Sequence, residues 1–248
     1  MTNNWQKRIQ QLQQKKFRKQ ERLFVVEGAK SVVELLNSKL ETEVIFGTSE
    51  FLAENSQLVK STKTQETSAD LLAKVGSFKS NDGALAVVRI PRNHEIQPEN
   101  NFILALDEVR DPGNLGTILR IADWYGFGGV VCSQSCADVY NPKVIASSMG
   151  SFTRTKVFYC NLQQYLAGLS DTLPVYGAFM DGDNVHKTPF GTEGVIILGN
   201  ESNGVSNEIS KLVNTKITIP RFGEAESLNV AMAGAIIADN VRRNSIKN

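Results

Sequence analysis

The sequence predicts an α/β protein in two parts, a small amino-terminal α/β unit followed by a larger α/β unit built on a parallel sheet. Three observations lead there. The chain has 248 residues, more than one hydrophobic core usually serves. Short apolar runs alternate with helical patterns along its length. In the second half those runs are apolar almost throughout, as strands covered on both faces are. Between the halves, RNHEIQPEN at 92–100 is polar, contains Pro98 and has no period. We therefore place the boundary at residue 97, giving domains 1–97 and 98–248.

In chain order, residues 5–20 read as a polar helix and LFVVEG (23–28) as a short buried strand. Residues 29–36 read as a helix carrying Val32, Val33, Leu35 and Leu36. EVIFGT (43–48) and the segment 51–58 repeat the pair, then 68–75 reads as a helix and ALAVVRIP (84–91) as a strand stopped by Pro91. Beyond the boundary the strand candidates are FILALDEV (102–109), GVVCS (129–133), TKVFYC (155–160), VYGAFM (175–180), GVIILGN (194–200) and TKITIP (215–220). The helix from Leu115 aligns Leu115, Ile118, Leu119 and Ala122, and the last helix aligns Val230, Ala233, Gly234, Ile237 and Val241, so both must dock. Arg120 falls opposite the first stripe, on the outer face of its helix.

Composition excludes several classes. The hydrophobic fraction is 41%, which places the chain among globular proteins and not among disordered, collagen-like or coiled-coil ones. No apolar run approaches the about 20 residues a membrane helix needs, and the start, MTNNWQKRIQQLQQ, has no apolar signal core, so a soluble, cytoplasmic protein is expected. Three cysteines, Cys132, Cys136 and Cys160, make no disulfide framework, and His94 and His186 lie far from the Cys132/Cys136 pair, so no zinc or other metal site is expected. Both histidines read as satisfied or solvated side chains.

The net charge of +1 is unevenly spread. Residues 1–23 carry seven Lys and Arg against Glu21, a local +6 that leaves −5 on the rest. Lys15, Lys16, Arg18, Lys19 and Arg22 are the candidate contacts to a polyanion such as RNA, because clustered cations release counterions condensed on a phosphate backbone. The same charges also suit a solvated helix face.

The chain has no Walker-type phosphate loop, dinucleotide glycine fingerprint, zinc-protease helix or nucleophile elbow. What remains are three polar clusters after strand ends, where open α/β sheets bind ligands. The first runs from Asp107 to Gly116 and opens the helix of Arg120; Asp111 and Asn114 are also ordinary capping types. The second is Leu198 to Val205, where Gly199 and Gly204 permit close backbone approach and Glu201 sits in a tight loop, with Ser206 a possible helix cap. The third is Ile219 to Val230, in which Ser227 is a candidate cap.

DPGNLGTILRIADW, LGNESNGVS and IPRFGEAESLNVAMAGA, in that order, resemble the three motifs of the SpoU/TrmH group of SPOUT methyltransferases over residues 102–245. FVVEGAKSVVELL is similar to the ribosomal-protein-like substrate-binding domain that many members carry in front. The resemblance implies S-adenosylmethionine-dependent methylation of a ribose 2′-hydroxyl in RNA. It further implies a homodimer whose second domain threads a deep trefoil knot, an exception to the usual rule against threaded chains. It places the cofactor at Leu198, Gly199, Gly204, Ile219, Ser227 and Leu228, and catalysis or substrate placement at Asn114, Arg120, Glu201, Ser227 and Asn229. Ser202 and Asn203 depart from the small residue the family often has after its glutamate, and Arg221 and Phe222 stand where a methionine is common.

Methyl transfer from a sulfonium asks for alignment, loss of the hydroxyl proton and stabilisation of alkoxide, and none of these requires a metal. A guanidinium holds its proton too tightly to serve readily as a base, which suits Arg120 better as an electrostatic clamp. Glu201 is then a positioning group, and Ser227 and Asn229 orient the substrate phosphate or Arg120. The basic arm and extra domain favour ribosomal RNA of the 23S type over transfer RNA. The competing readings are a transfer-RNA methylase, a non-catalytic RNA-binding protein of the same fold, and an unrelated nucleotide-binding α/β enzyme.

Overall fold

The computed structural model describes residues 1–243; the last five residues of the expected second domain, 244–248, lie outside the described residues. The chain packs as two compact units. One comprises Met1–Arg92 with Asp138–Arg154, the other Asn93–Ala137 with the chain from Thr155 onward. No feature read from the sequence set 138–154 apart.

In the first unit, the Thr2 hydroxyl accepts from the Trp5 amide and starts α1 (Asn3–Leu12), which is followed by α2 (Lys15–Glu21). The single helix expected over 5–20 is thus two. The break at Gln14, whose backbone is extended, has a physical cause in Arg18. Its guanidinium donates to the carbonyls of Leu12 and Gln13, both at 2.8 Å, satisfying groups that the end of α1 leaves open. The other side of the guanidinium grips Asp138 Oδ2, at 2.7 and 3.0 Å. Arg18 is 2% exposed, so the expectation that it contacts RNA is corrected: its charge is spent inside the unit. Lys15, Lys16, Lys19 and Arg22 are exposed.

After α2 come β1 (Leu23–Glu27), α3 (Ala29–Leu36), β2 (Thr42–Gly47), α4 (Ser49–Glu54), α5 (Ser56–Val59), β3 (Thr64–Glu66), α6 (Ala69–Val75) and β4 (Ala84–Arg89). The sheet order is β1-β4-β2-β3, with β4 antiparallel to both neighbours and β3 parallel to β2. Strand alternation divides the core. Phe24, Val26, Ile45 and Val88 pack with Val32 and Leu35 of α3, while Leu23, Val25, Phe46 and Val87 pack with Ile9, Leu12, Leu72 and Val75. The returning segment completes the first of these cores, since Tyr140, Ile145 and Phe152 pack there and Phe24 meets both rings.

In the second unit the chain runs β5 (Phe102–Leu106), α7 (Pro112–Trp124) and β6 (Val130–Ser133), leaves for the first unit's α8 (Pro142–Ser147), and returns as β7 (Val157–Cys160). It continues as α9 (Leu162–Ala167), β8 (Val175–Asn184), β9 (Gly194–Leu198), α10 (Asn207–Ser210), β10 (Thr215–Thr218) and α11 (Val230–Arg243). The sheet order is β10-β8-β9-β5-β6-β7 and every pairing is parallel. Every residue of β5 and β9 is buried, as their unbroken apolar runs require. Val131, Ile103, Val195 and Ile197 pack with Leu162, Leu166 and Ile209, and α7 packs with α11. Arg242 locks that helix pair by donating to the carbonyls of Tyr125 (2.6 Å) and Gly126 (2.7 Å) at the end of α7. From β5 the chain first goes to β6 on one side, whereas β9 later pairs on the other, so the loops leaving β5 and β9 diverge and open a crevice at their carboxyl ends.

Replacing Arg18 by alanine strands Asp138 and two carbonyls and is expected to lower stability by about 3 kcal/mol, whereas Lys16→Ala stays within about 0.5 kcal/mol. Urea unfolding followed by Trp5 fluorescence in a Trp124→Phe background reads the difference.

Candidate active site

The loop after β9 is built by its glycines and by Asn200. An isolated bridge joins Asn200 and Gly204, each amide donating to the other's carbonyl at 2.9 Å. Gly204 has φ +67°, a conformation a side chain strains. A Cβ on Gly199 would lie 2.2 Å from the Gly204 carbonyl carbon and 2.3 Å from the Val205 nitrogen, so only glycine lets the two sides of the loop close. Asn200 Oδ1 accepts the amides of Ser202 (2.9 Å) and Asn203 (3.2 Å), and its Nδ2 donates to the Glu108 carbonyl (2.9 Å). The Ser202 and Asn203 backbones are thereby engaged while both residues are exposed, so the departure there leaves the turn intact.

The loop after β5 is held from the same side. Buried Asp107 accepts the Ser206 amide at 2.7 Å, tying the end of β5 to the start of α10. Glu108 takes φ +59°, unusual for a residue with a side chain, and its amide donates to Ser133 Oγ at 3.0 Å. Asp111 caps α7 by accepting the Asn114 amide at 2.9 Å.

Asn114, on the first turn of α7, then joins all three clusters. Its Nδ2 donates to Glu201 Oε1 at 2.9 Å, and its Oδ1 accepts from Asn229 Nδ2 at 2.9 Å. Asn229 Oδ1 accepts the amides of Ala231 (3.0 Å) and Met232 (3.2 Å) and so caps α11, the place expected for Ser227. The direction of the chain follows from that cap. Helix amides need an acceptor, which turns Asn229 Nδ2 toward Asn114, and Asn114 in turn must present its own donor to the carboxylate. Three of the five expected catalytic residues are thereby brought together from segments 87 and 115 positions apart. Arg120 is exposed on α7, with no hydrogen-bond or ion-pair partner among the described residues; Ser227 is exposed as well.

A cleft of about 720 Å³ lies beside this chain of amides. Leu198, Gly199, Gly204, Ile219, Ser227 and Leu228 all line it, as does Glu201, whereas Asn114, Arg120 and Asn229 do not. Its far wall comes from β8, which runs on to Asn184 and not only to 180. The ladder with β10 jumps from Gly177 to Asp183, and the unpaired bow of Ala178–Asp181 faces the cleft. The residues that the sequence reading passed over are Asn200, Asp107 and this bow. Asn200 carried a signal, an asparagine four positions before a glycine in a strand-end loop; the bow carried none.

Two other groups prove structural. His186 Nδ1 lies 3.1 Å from Asn240 Oδ1; because Asn240 Nδ2 already donates to Ile236, the ring nitrogen is the donor. The buried Cys132 and Cys136 thiols hydrogen-bond, which pushes Cys136 down to about 7 and, together with burial, pushes Cys132 up. Among the described residues no group of three His, Cys, Asp or Glu is placed to hold a metal.

Gly199→Ala is expected to force the loop open. Amide hydrogen exchange over residues 200–205 should quicken by about 10-fold or more while exchange in β5 is unchanged; unaltered protection in the loop would contradict the packing argument.

Residues 101–239 match the SpoU rRNA Methylase family and residues 3–86 match the MRM3-like substrate binding domain. The chain is 32% identical over 241 residues to the 23S rRNA (guanosine(2553)-2′-O)-methyltransferase RlmP of Bacillus subtilis, covering 96% of this chain and 94% of that one. Its fold superposes on a Porphyromonas gingivalis protein assigned to the TrmH family of RNA methyltransferases, with a TM-score of 0.87, 33% identity and 98% of each chain covered. It is also that of the SpoU methyltransferase AviRb of Streptomyces viridochromogenes bound to AdoMet, with a TM-score of 0.87, 24% identity and again 98% of each chain covered. The order of the three motif clusters, the hydrogen bonds through Asn114 that join them beside one cleft and these matches over nearly the whole length agree, and the chain belongs to the SpoU rRNA methylase family.

Proposed function

We propose that the chain transfers the methyl group of S-adenosylmethionine to a ribose 2′-hydroxyl of RNA, with 23S-type ribosomal RNA as the substrate. The observation that carries this is the chain of side-chain hydrogen bonds from Asn229 through Asn114 to Glu201, set beside a glycine-walled cleft. The cleft suits the cofactor: its volume is in the range of small-molecule sites, and Leu198, Ile219, Leu228 and Ile237 offer an apolar bed beside the backbones of Gly199 and Gly204. Asp181 and Glu226 on its lining complement a positively charged ligand. When bound, S-adenosylmethionine supplies a methyl group activated by a sulfonium.

The chain's own residues do the rest. Glu201, held by Asn114, fixes the loop that walls the cleft and presents an oriented carboxylate. Arg120 lies six residues beyond Asn114 on α7, about 9 Å along the helix axis. Its guanidinium acts by stabilising the developing alkoxide, which eases loss of the hydroxyl proton to water or a neighbouring group. Ser227, exposed and lining the cleft, orients the substrate.

The finer parts of the reading belong to the same proposal. Residues 1–97 serve RNA contact, through Lys15, Lys16, Lys19 and Arg22, and 98–248 serve methyl transfer. Trp124 and Met232 are 80% and 60% exposed on the outer faces of α7 and α11, which a second copy of the chain would cover, placing Arg120 near the interface of a homodimer. From the edge strand β10 the chain comes back to the sheet centre, where a Cβ on Gly234 of α11 would lie 2.9 Å from Leu198; the knot of the second domain belongs to the same proposal and rests on the family resemblance. No helix among the described residues is long and apolar enough to cross a membrane, and an rRNA modifier works in the cytoplasm.

Labelled methyl incorporation into deproteinised RNA from cells lacking the protein tests the reading. Wild type should label one ribose of large-subunit RNA, and Arg120→Ala should lose about 100-fold or more of the rate while cofactor affinity stays within about 3-fold of wild type. Arg120→Lys should stay impaired, because one ammonium does not reproduce a planar fork. Label confined to transfer RNA would overturn the substrate, and none in either RNA would leave an RNA-binding protein.

A further inference from the structure

Phe222 is 98% exposed, more than any other large apolar side chain among the described residues. It stands in the segment between β10 and α11 and lines the same cleft as Gly199 and Leu228. Arg221 folds back so that its Nη1 donates to the Ala225 carbonyl at 3.4 Å, closing a small loop that includes Phe222. A Cβ on the next residue, Gly223, would meet nothing within 4 Å, so the loop stands clear of its own unit there. Phe222 makes no ring contact among the described residues. A phenyl ring left wholly in water forgoes the burial that normally holds a phenylalanine in a fold, so this side chain adds nothing to folding where it is.

Trp124 and Met232 are exposed too, but on faces of regular helices. Phe222 instead rises from a loop on the wall of the site, next to an arginine whose long hydrogen bond leaves its charge open to solvent. A methyl acceptor must come to this wall. In duplex form a target ribose carries a stacked base on either side, whereas an unpaired nucleotide offers a free base face beside its sugar. An exposed aromatic ring with a neighbouring cation is the chemistry that holds such a nucleotide, the ring taking the base and the cation the phosphate.

We infer that Phe222 is a substrate-contacting residue that stacks on an unpaired nucleobase of the RNA, at or next to the nucleotide whose ribose is methylated, with Arg221 facing the adjoining phosphate. This rests on the methyl-transfer reading above, since it is that reading which brings a ribose to the cleft. Stacking is tolerant of base identity, so the contribution is to affinity and placement and not to a choice among the four bases.

The experiment measures kcat and KM for unmodified large-subunit rRNA transcript, S-adenosylmethionine affinity by titration calorimetry, and mass by sedimentation, for wild type and three variants. Phe222→Ala should raise the RNA KM by about 10- to 100-fold, the range one stacked base commands, with cofactor affinity and mass unchanged. Phe222→Tyr should restore the KM, and Phe222→Leu, apolar but without a π face, should not. An unchanged KM in Phe222→Ala overturns the inference, as does full rescue by leucine. A loss that coincides with dissociation into monomers overturns it in favour of a contact with a second copy, and a parallel loss of cofactor affinity overturns it in favour of a cofactor contact. Direct binding of the transcript in the presence of S-adenosylhomocysteine separates this from the parent reading. If wild type methylates no RNA, methyl transfer falls, yet a 10- to 100-fold weaker RNA affinity in Phe222→Ala still upholds the stacking contact; equal affinity, or no binding by wild type, removes it.

Discussion

The amide of Asn114 faces a carboxylate on one side and another amide on the other, and its orientation is not free. Asn229 spends its oxygen on the first turn of α11, so it has only its NH₂ to offer Asn114; Asn114 then has only its NH₂ to offer Glu201. A helix start thus orients, through two side chains, the carboxylate beside the cleft. An aspartate at either asparagine would supply an acceptor where a donor is needed and set a negative charge near Glu201. The three motif clusters, which in the chain are separate punctuation marks, act as one object because this relay has a single direction.

That relay works only if the strand-end loops are brought close, and the backbone does this. The all-parallel sheet sets β5 and β9 side by side with their carboxyl ends together, and the divergence of the chain there leaves room for a ligand. Gly199 and Gly204 let the loop after β9 fold on itself at distances no side chain allows, and Asn200 and Asp107 stitch it to the end of β5. The strained backbone of Glu108 is the visible cost of that stitching. Within β8, the bow at 178–181 widens the crevice into a cleft.

In the first unit the same physics gives a different outcome for a charged residue. Arg18 belongs to a run of cations that reads as a nucleic-acid patch, but it caps α1 and pairs with Asp138 from a segment 120 residues away. Its neighbours Lys15, Lys16 and Lys19 stay in water. A charge pattern counts cations and is blind to which of them have a carbonyl or a carboxylate within reach. That segment, 138–154, also finishes the hydrophobic core around Phe24, so the amino-terminal unit is assembled from two stretches of chain.

Much was legible in the sequence because it depends on near neighbours. Alternating and continuous apolar runs located nine of the ten strands among the described residues, missing Thr64–Glu66, whose three residues have no apolar pattern. The stripe of Leu115, Ile118, Leu119 and Ala122 set the buried face of α7 and left Arg120 outside it, as the structure has it. The second and third motif clusters named much of the lining of the cleft, through resemblance and not through composition. The cap at Asn229 is local, made with amides two and three residues on, and the sequence left it open beside Ser227. The break at Gln14, the burial of Arg18 and the bow in β8 were decided only by tertiary structure. In each of these the deciding partner, whether a carboxylate or an edge strand, reaches the residue through space and leaves no period in the local sequence. Periodicity records which face a residue takes; hydrogen-bond partners and buried charges are chosen by what the folded chain brings within about 3 Å.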